Sequence, residues 1–269
     1  MRSAPAASIV ITGASSGIGR ALALHYAAPG ISLGLIARDG ERLEDCAAQC
    51  RKQGAAVKTA RIDVTNRAEI AAWLTAYDRD HPIDLLIVNA GVSAGAQPDG
   101  NLETSKAAFA AFDVNVIGSI NTALPPLEAM IKRGRGQIAF LSSIAALYPL
   151  PSTPSYSASK AALRYYGLAL RQALSKHGVK VNVVCPGYVA SPMSERVIGY
   201  KPFLISADRA AHMIARGLER NQAVIAFPFL LAAGTRILNL LPASLAQWFA
   251  QLFALRVRSD ERMTRTNAR

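Results

Sequence analysis

Residues 8–19 read Ser-Ile-Val-Ile-Thr-Gly-Ala-Ser-Ser-Gly-Ile-Gly. Residues 9–11 form a short apolar run suited to a fully buried strand, and residues 12–19 turn sharply from it into an alanine-rich helical stretch from Ile18 to about Ala28. Glycines at 13, 17 and 19 permit a tight turn and close backbone approach, so amide N–H groups and the helix N-terminus can face a pyrophosphate. Strand, glycine turn and helix in this order predict a dinucleotide site.

Working outward, apolar runs at 31–36, 56–62, 83–88, 137–141, 179–184 and 223–227 read as further strands. Helical stretches at 41–53, 66–77 and 206–219 separate them, with a longer one from Ser105 past Gly118 to about Met130 and another from near Tyr156. Residues 144–155 hold three prolines and read as a loop. Near-continuous apolar strands alternating with helices predict an α/β fold, a doubly wound parallel sheet of about seven strands with helices on both faces. That domain spans 1–227, and 228–269 form an apolar helical extension with a basic tail.

The 269 residues suffice for one α/β domain with a sizeable core. Net charge is +12, yet the basic residues are dispersed; the nearest approach to a run is Lys132, Arg133 and Arg135, with no aromatic interleaving, which argues against nucleic acid. Cys46, Cys50 and Cys185 are an odd set without zinc spacing, and the four histidines are scattered, so no metal site is predicted. Reduced thiols and a first strand within about eight residues of Met1 point to a cytoplasmic protein without a signal peptide.

Tyr156 and Lys160 are four apart in a helical pattern and share a face. An ammonium beside a phenol favours the phenolate, so Tyr156 is expected to have a lowered pKa and to serve as general acid or base at a carbonyl or alcohol. Ser143 ends a strand thirteen residues earlier, where its hydroxyl can stabilise negative charge on a substrate oxygen. Ser142 points the opposite way.

In these motifs the chain resembles the classical type of short-chain dehydrogenases/reductases, a family with a single-domain Rossmann fold. The likeness runs over about 8–227: Thr-Gly-x-x-x-Gly-x-Gly at 12–19, Asn-Ala-Gly at 89–91, Tyr-x-x-x-Lys at 156–160, with Ser143, Asn115 and Pro186-Gly187 in their expected order. The resemblance implies catalysis by Asn115, Ser143, Tyr156 and Lys160, with Asn115 kinking its helix and Lys160 also holding the nicotinamide ribose. It implies cofactor contacts from Thr12, Gly13, Ser15, Ser16, Gly17, Ile18 and Gly19, from Asp63 and Val64 at the adenine, and from Asn89, Ala90 and Gly91 near the sheet centre. Pro186, Gly187 and Val189 would lie beside the nicotinamide, and Ser191, where the family usually has threonine, would meet its carboxamide. A homodimer or homotetramer is implied as well.

The second strand ends Ala37-Arg38-Asp39. An acidic residue there would accept from the ribose 2′-hydroxyl of NAD; Ala37 followed by Arg38 favours the 2′-phosphate of NADP instead, although a one-residue slip would bring in the Asp39 carboxylate. Loops 92–102, 144–155 and 188–205 carry Tyr148, Pro149, Leu150, Tyr188, Met193, Tyr200, Phe203 and Leu204, which suit an apolar ketone or secondary alcohol. Beyond Pro242, Leu245, Trp248, Phe249, Leu252 and Leu255 form an apolar stripe followed by arginines. It reads as a subunit interface, a pocket cover or a peripheral membrane contact. Beside an NADP(H)-dependent oxidoreductase stand a silent cofactor-binding sensor or scaffold, an NAD-preferring dehydrogenase, and a sugar-nucleotide epimerase or dehydratase, whose relatives generally carry a larger C-terminal domain.

Overall fold

Strand β1 (Ser8–Thr12) sends alternate side chains to two separate cores: Ile9 and Ile11 to one, Val10 to the other, all three fully buried. The structure, a computed structural model, describes residues 6–93, 95, 102–199, 201–238, 240–242, 245 and 256–257. After β1 come α1 (Gly17–Tyr26), β2 (Ser32–Ala37), α2 (Gly40–Lys52), β3 (Ala56–Arg61), α3 (Arg67–Asp80) and β4 (Leu85–Val88). The chain continues through α4 (Ser105–Phe112), α5 (Gly118–Ala123), α6 (Leu127–Arg133), β5 (Gly136–Leu141), α7 (Pro154–Leu174) and β6 (Val179–Pro186). It goes on through α8 (Pro192–Glu195), β7 (Val197–Ile198), α9 (Ala207–Glu219), β8 (Val224–Phe227), α10 (Phe229–Leu238) and β9 (Arg256–Val257).

Seven strands pair in the order β3-β2-β1-β4-β5-β6-β8, and every pair is parallel. The same alternation recurs in β4 and β5: Leu85, Ile87, Ala139 and Leu141 join one core; Leu86, Val88, Ile138 and Phe140 join the other. Helices α1, α2 and α9 close the first core, and α3, α6 and α7 the second. Because β1 is flanked by β2 and β4, the chain direction across the sheet reverses there, and a crevice opens at the strands' carboxyl ends.

Phe140 is fully buried, edge-on to Tyr166 with ring centroids 5.7 Å apart. Its replacement by alanine is expected to lower unfolding free energy by about 3–5 kcal/mol in a denaturant titration.

Two helices differ from the sequence reading. The stretch expected to run unbroken from Ser105 to Met130 changes to a π-helical turn over Asp113–Ile117 and then breaks between α5 and α6, where Pro125 and Pro126 cannot donate backbone hydrogen bonds. Helix α7 begins at Pro154, two residues before the expected start, because a proline is well suited to the first helical position. Most of the other long helices have side-chain caps: Asp39 on α2, Asn66 on α3, Thr104 on α4 and Ser206 on α9. Ser16, at the start of α1, makes no such bond.

Candidate active site

Strand β4 shapes the glycine turn. Thr12 Oγ1 accepts from the amides of Asn89 and Ala90, both at 3.1 Å, while Asn89 Nδ2 donates to the carbonyls of Thr12 at 2.9 Å and Gly13 at 3.2 Å. Gly13 has φ +68°, a left-handed conformation, and its amide donates to Ile36 O at 2.8 Å. A Cβ on Gly19 would stand 2.3 Å from Gly13 O, so only glycine lets α1 start this close to the turn. Ser15, Ser16, Gly17 and Ile18 are only partly covered. Ser16 does not cap α1, so the first amides of that helix have no side-chain acceptor from their N-cap residue.

Asn115 lies in the π-helical turn, fully buried. Its Oδ1 accepts from Val92 N at 2.8 Å, and its Nδ2 donates to Val92 O and to Ser159 Oγ, both at 2.9 Å. Asn115 thus ties the end of the Asn89-Ala90-Gly91 segment to α7. Gly91 fits between, because a Cβ there would stand 3.0 Å from Asn115 Oδ1 and 3.1 Å from Lys160 Nζ.

Lys160 is 4% exposed and donates to Leu141 O at 2.8 Å. Burial lowers its pKa to about 8, against a smaller upward pull from Cys185. Its Nζ is 5.8 Å from the centroid of the Tyr156 ring. Burial raises the Tyr156 phenol above its ordinary value, and a hydrogen bond with Ser143 opposes this. The expected lowering by a neighbouring ammonium is therefore corrected: the net shift is upward, with burial the largest cause and the Ser143 hydroxyl the one that opposes it. Ser143 begins a short 3-10 turn, and its Oγ also accepts from Ala145 N at 3.1 Å. Buried Ser142 donates to Lys160 O at 2.7 Å, which fixes α7 against β5 from the opposite side.

At the far end of the crevice, Arg38 Nη1 is 3.6 Å from Asp63 Oδ2, with the arginine side chain 63% exposed. Asp39 caps α2 and accepts from Arg42 Nε at 2.7 Å, so its carboxylate is already engaged. Val64 is buried, with its carbonyl held by Asn121 Nδ2 at 3.1 Å. Pro186 pairs with Phe227, and Gly187 N donates to Phe227 O at 2.7 Å. Val189 is bridged to Ile205. Ser191 caps α8 in a reciprocal pair with Ser194, and a Cβ on Gly17 would lie 3.2 Å from Ser191 Cβ, so the glycine turn and the loop after β6 face each other closely.

The structure thus gathers Ser143, Tyr156, Lys160 and Asn115 into one cluster and Thr12, Gly13, Gly19, Asn89 and Ala90 into a second. Gly91 joins the two, and Arg38 with Asp63 forms a separate corner. The sequence reading missed Ser159, Leu141 O and Glu103, which accepts from Ser155 N and Ser155 Oγ, both at 2.7 Å. Spacing to Lys160 is the one signal that could have found Ser159; a carbonyl and a contact across 52 residues leave none. Tyr200 and most of the C-terminal apolar stripe lie outside the described residues; Leu245 is exposed. A cavity of about 480 Å³ borders β8 and α10, lined by residues such as Met213, Val224 and Phe229, and includes none of the expected site residues.

The sequence profile of the short chain dehydrogenase family matches residues 7–199. An uncharacterized oxidoreductase of Myxococcus xanthus is 32% identical over 234 residues, covering 87% of this chain and 92% of that protein. A short-chain dehydrogenase from Sphingobium yanoikuyae, solved in complex with NADPH, is similar in structure with TM-score 0.76 at 28% identity, over 86% of this chain and 92% of that one. One from Mycobacterium paratuberculosis, bound to NAD, shares the fold with TM-score 0.71 at 24% identity, over 81% and 94%. The chain belongs to the short-chain dehydrogenase family. It is therefore an oxidoreductase of that family, whose structural neighbours have been solved with NADPH or with NAD.

Proposed function

We propose that the chain is an NADP(H)-dependent oxidoreductase acting on the carbonyl or secondary alcohol of a small apolar molecule, with Tyr156 as general acid and base. The observation that carries this reading is the cluster of Ser143, Tyr156, Lys160 and Asn115 at the carboxyl end of β5, beside the glycine turn. When bound, the nicotinamide supplies or accepts the hydride. The uncapped N-terminus of α1 suits the pyrophosphate, and the glycines leave room that side chains would fill. Lys160 would hold ribose hydroxyls, Asp63 and Val64 the adenine, and Ser191 the carboxamide. Tyr156 gives its proton to the substrate oxygen during reduction and takes it back during oxidation. Ser143 donates a hydrogen bond to that oxygen and stabilises the charge growing on it.

Arg38 supports NADP: its guanidinium is largely exposed, and the rival carboxylate of Asp39 is held by Arg42 and the α2 cap. A guanidinium–phosphate pair contributes about 1.5–3 kcal/mol before solvent screening, which at this exposure leaves roughly a tenfold effect. Arg38→Ala is expected to raise the KM for NADPH about tenfold and that for NADH less than twofold. Equal changes would sink the assignment.

The apolar substrate rests on Tyr148, Tyr188 and Met193, with Phe203 and Leu204 exposed nearby in the loop after β6. That loop's Arg196 donates to Ser93 O at 3.2 Å across the mouth. Exposed Phe109 and Phe112 on α4, Ile117 after it, and Tyr165 on α7 support a homo-oligomer.

The experiment that tests the reading follows NADPH and NADH consumption against apolar aldehydes, ketones and quinones, with Tyr156→Phe as control. Tight NADPH binding without turnover would favour the silent sensor.

A further inference from the structure

Helix α7 carries both Tyr156 and Lys160, so the placement of its first turn sets where the phenol stands relative to Ser143. That first turn lacks a local cap. Thr153 occupies the N-cap position but makes no side-chain cap hydrogen bond, and its buried Oγ1 has no hydrogen-bond partner. Pro154 follows without an N–H, and the first turn of α7 holds no acidic residue. The amides of that turn without an intrahelical acceptor are those of Ser155, which is buried, and Tyr156.

A residue distant in sequence supplies what is missing. Glu103 Oε1 accepts from Ser155 N and Oε2 from Ser155 Oγ, each at 2.7 Å, across 52 positions. Two bonds to one residue at the start of a 21-residue helix need a side chain long enough to meet the amide and the hydroxyl of Ser155 together. Glu103 also stands just ahead of Thr104, the cap of α4, and just after loop 92–102. One side chain therefore ties the start of α4 to the turn that bears the phenol. On the other side of the same turn, Ser157 Oγ accepts from Leu150 N at 2.9 Å, which anchors loop 144–155 as well.

We propose that Glu103 is a positioning residue: by capping α7 through Ser155 it fixes Tyr156 against Ser143 and links the start of α4 to the placement of the phenol. This rests on the reading of Tyr156 as the proton donor. The carboxylate itself acts through Ser155 and touches neither substrate nor proton.

Two variants separate reach from charge, and both preserve a folded surface carboxyl or amide. Glu103→Asp keeps the charge but is one methylene too short to hold both bonds, whereas Glu103→Gln loses the charge and keeps the reach. With NADPH and the carbonyl that the wild-type protein reduces fastest, Glu103→Asp is expected to lower kcat about five- to tenfold. Glu103→Gln should stay within about twofold, and the KM for NADPH should be unchanged in both. Hydrogen exchange of the peptide spanning 153–160 should speed up in the aspartate variant alone. An aspartate variant retaining more than half of wild-type kcat, or a glutamine variant falling as far as the aspartate one, would overturn the proposal. A wild-type protein that reduces no carbonyl defeats the hydride-transfer reading by itself, and the exchange measurement then decides the cap: equal exchange in both variants overturns it.

Discussion

Tyr156→Phe is expected to lower the rate of carbonyl reduction by about 10²–10⁴-fold, the range contributed by a positioned general acid, while the affinity for NADPH changes by less than about threefold. The separation follows from the geometry. The Ser143 hydroxyl at the carboxyl end of β5 pulls the phenol's pKa down against the upward push of burial, whereas the packing of the ring survives in phenylalanine. The raised pKa of the phenol keeps it protonated at neutral pH, the form needed to donate during reduction. NADPH consumption with an apolar carbonyl, beside fluorescence titration of NADPH, reads both quantities. If the variant kept more than a tenth of wild-type turnover, the proton would have to come from elsewhere.

The second large effect is a trade between activity and stability at Lys160. Its pKa falls from 10.5 to about 8 because the ammonium is buried, which corresponds to about 3 kcal/mol of cost for holding that charge in the fold. The unfolded chain binds the proton more tightly, so this group makes the folded state more stable as pH rises from about 8 to about 10.5. Lys160→Met removes the buried charge but leaves Leu141 O without its donor, which returns about 1–3 kcal/mol of that gain. The net expectation for the cofactor-free protein at pH 7 is a Tm higher by about 2–4 °C, a difference that shrinks above about pH 8 and reverses by about pH 10.5, where only the lost hydrogen bond remains. Turnover should fall at least about 10²-fold in the same variant. In the wild-type protein, reduction should weaken as pH rises through about 8, where Lys160 loses its proton. A Tm that falls at pH 7, or a pH–rate profile flat to pH 10, would contradict this account of the lysine.

What could be read from the chain, and what could not, divides along physical lines. Residues 12–19 announce themselves because left-handed turns and close approach demand glycine at fixed spacing, and Tyr156 and Lys160 because a helix brings i and i+4 together. The central strands are legible as apolar runs, since a parallel sheet covered on both faces has no polar side there, whereas the edge strand β3 carries Lys58, Thr59 and Arg61 and has no buried residue. The break at Pro125 and Pro126 was written in the sequence, but the apolar pattern continuing to Met130 masked it. Pro154 reads as loop punctuation in the sequence, yet it is also a good first residue of a helix. The direction of the Tyr156 pKa was out of reach, because it depends on whether desolvation or the neighbouring charge prevails, and burial is set by the whole fold. Glu103 was invisible for a related reason: a side-chain cap supplied from 52 residues away leaves no period and no local motif.

The pairing of Thr12 Oγ1 with the amides of Asn89 and Ala90 spans 77 and 78 positions of the chain. During synthesis the glycine turn leaves the ribosome long before those amides exist, and no hairpin can substitute, because β1 is completed only by the parallel strand β4. The nascent N-terminal segment therefore carries the residues of a nucleotide site without its shape. Cofactor capture becomes a late event in folding, available only after the chain has grown beyond residue 91 and the middle of the sheet has closed.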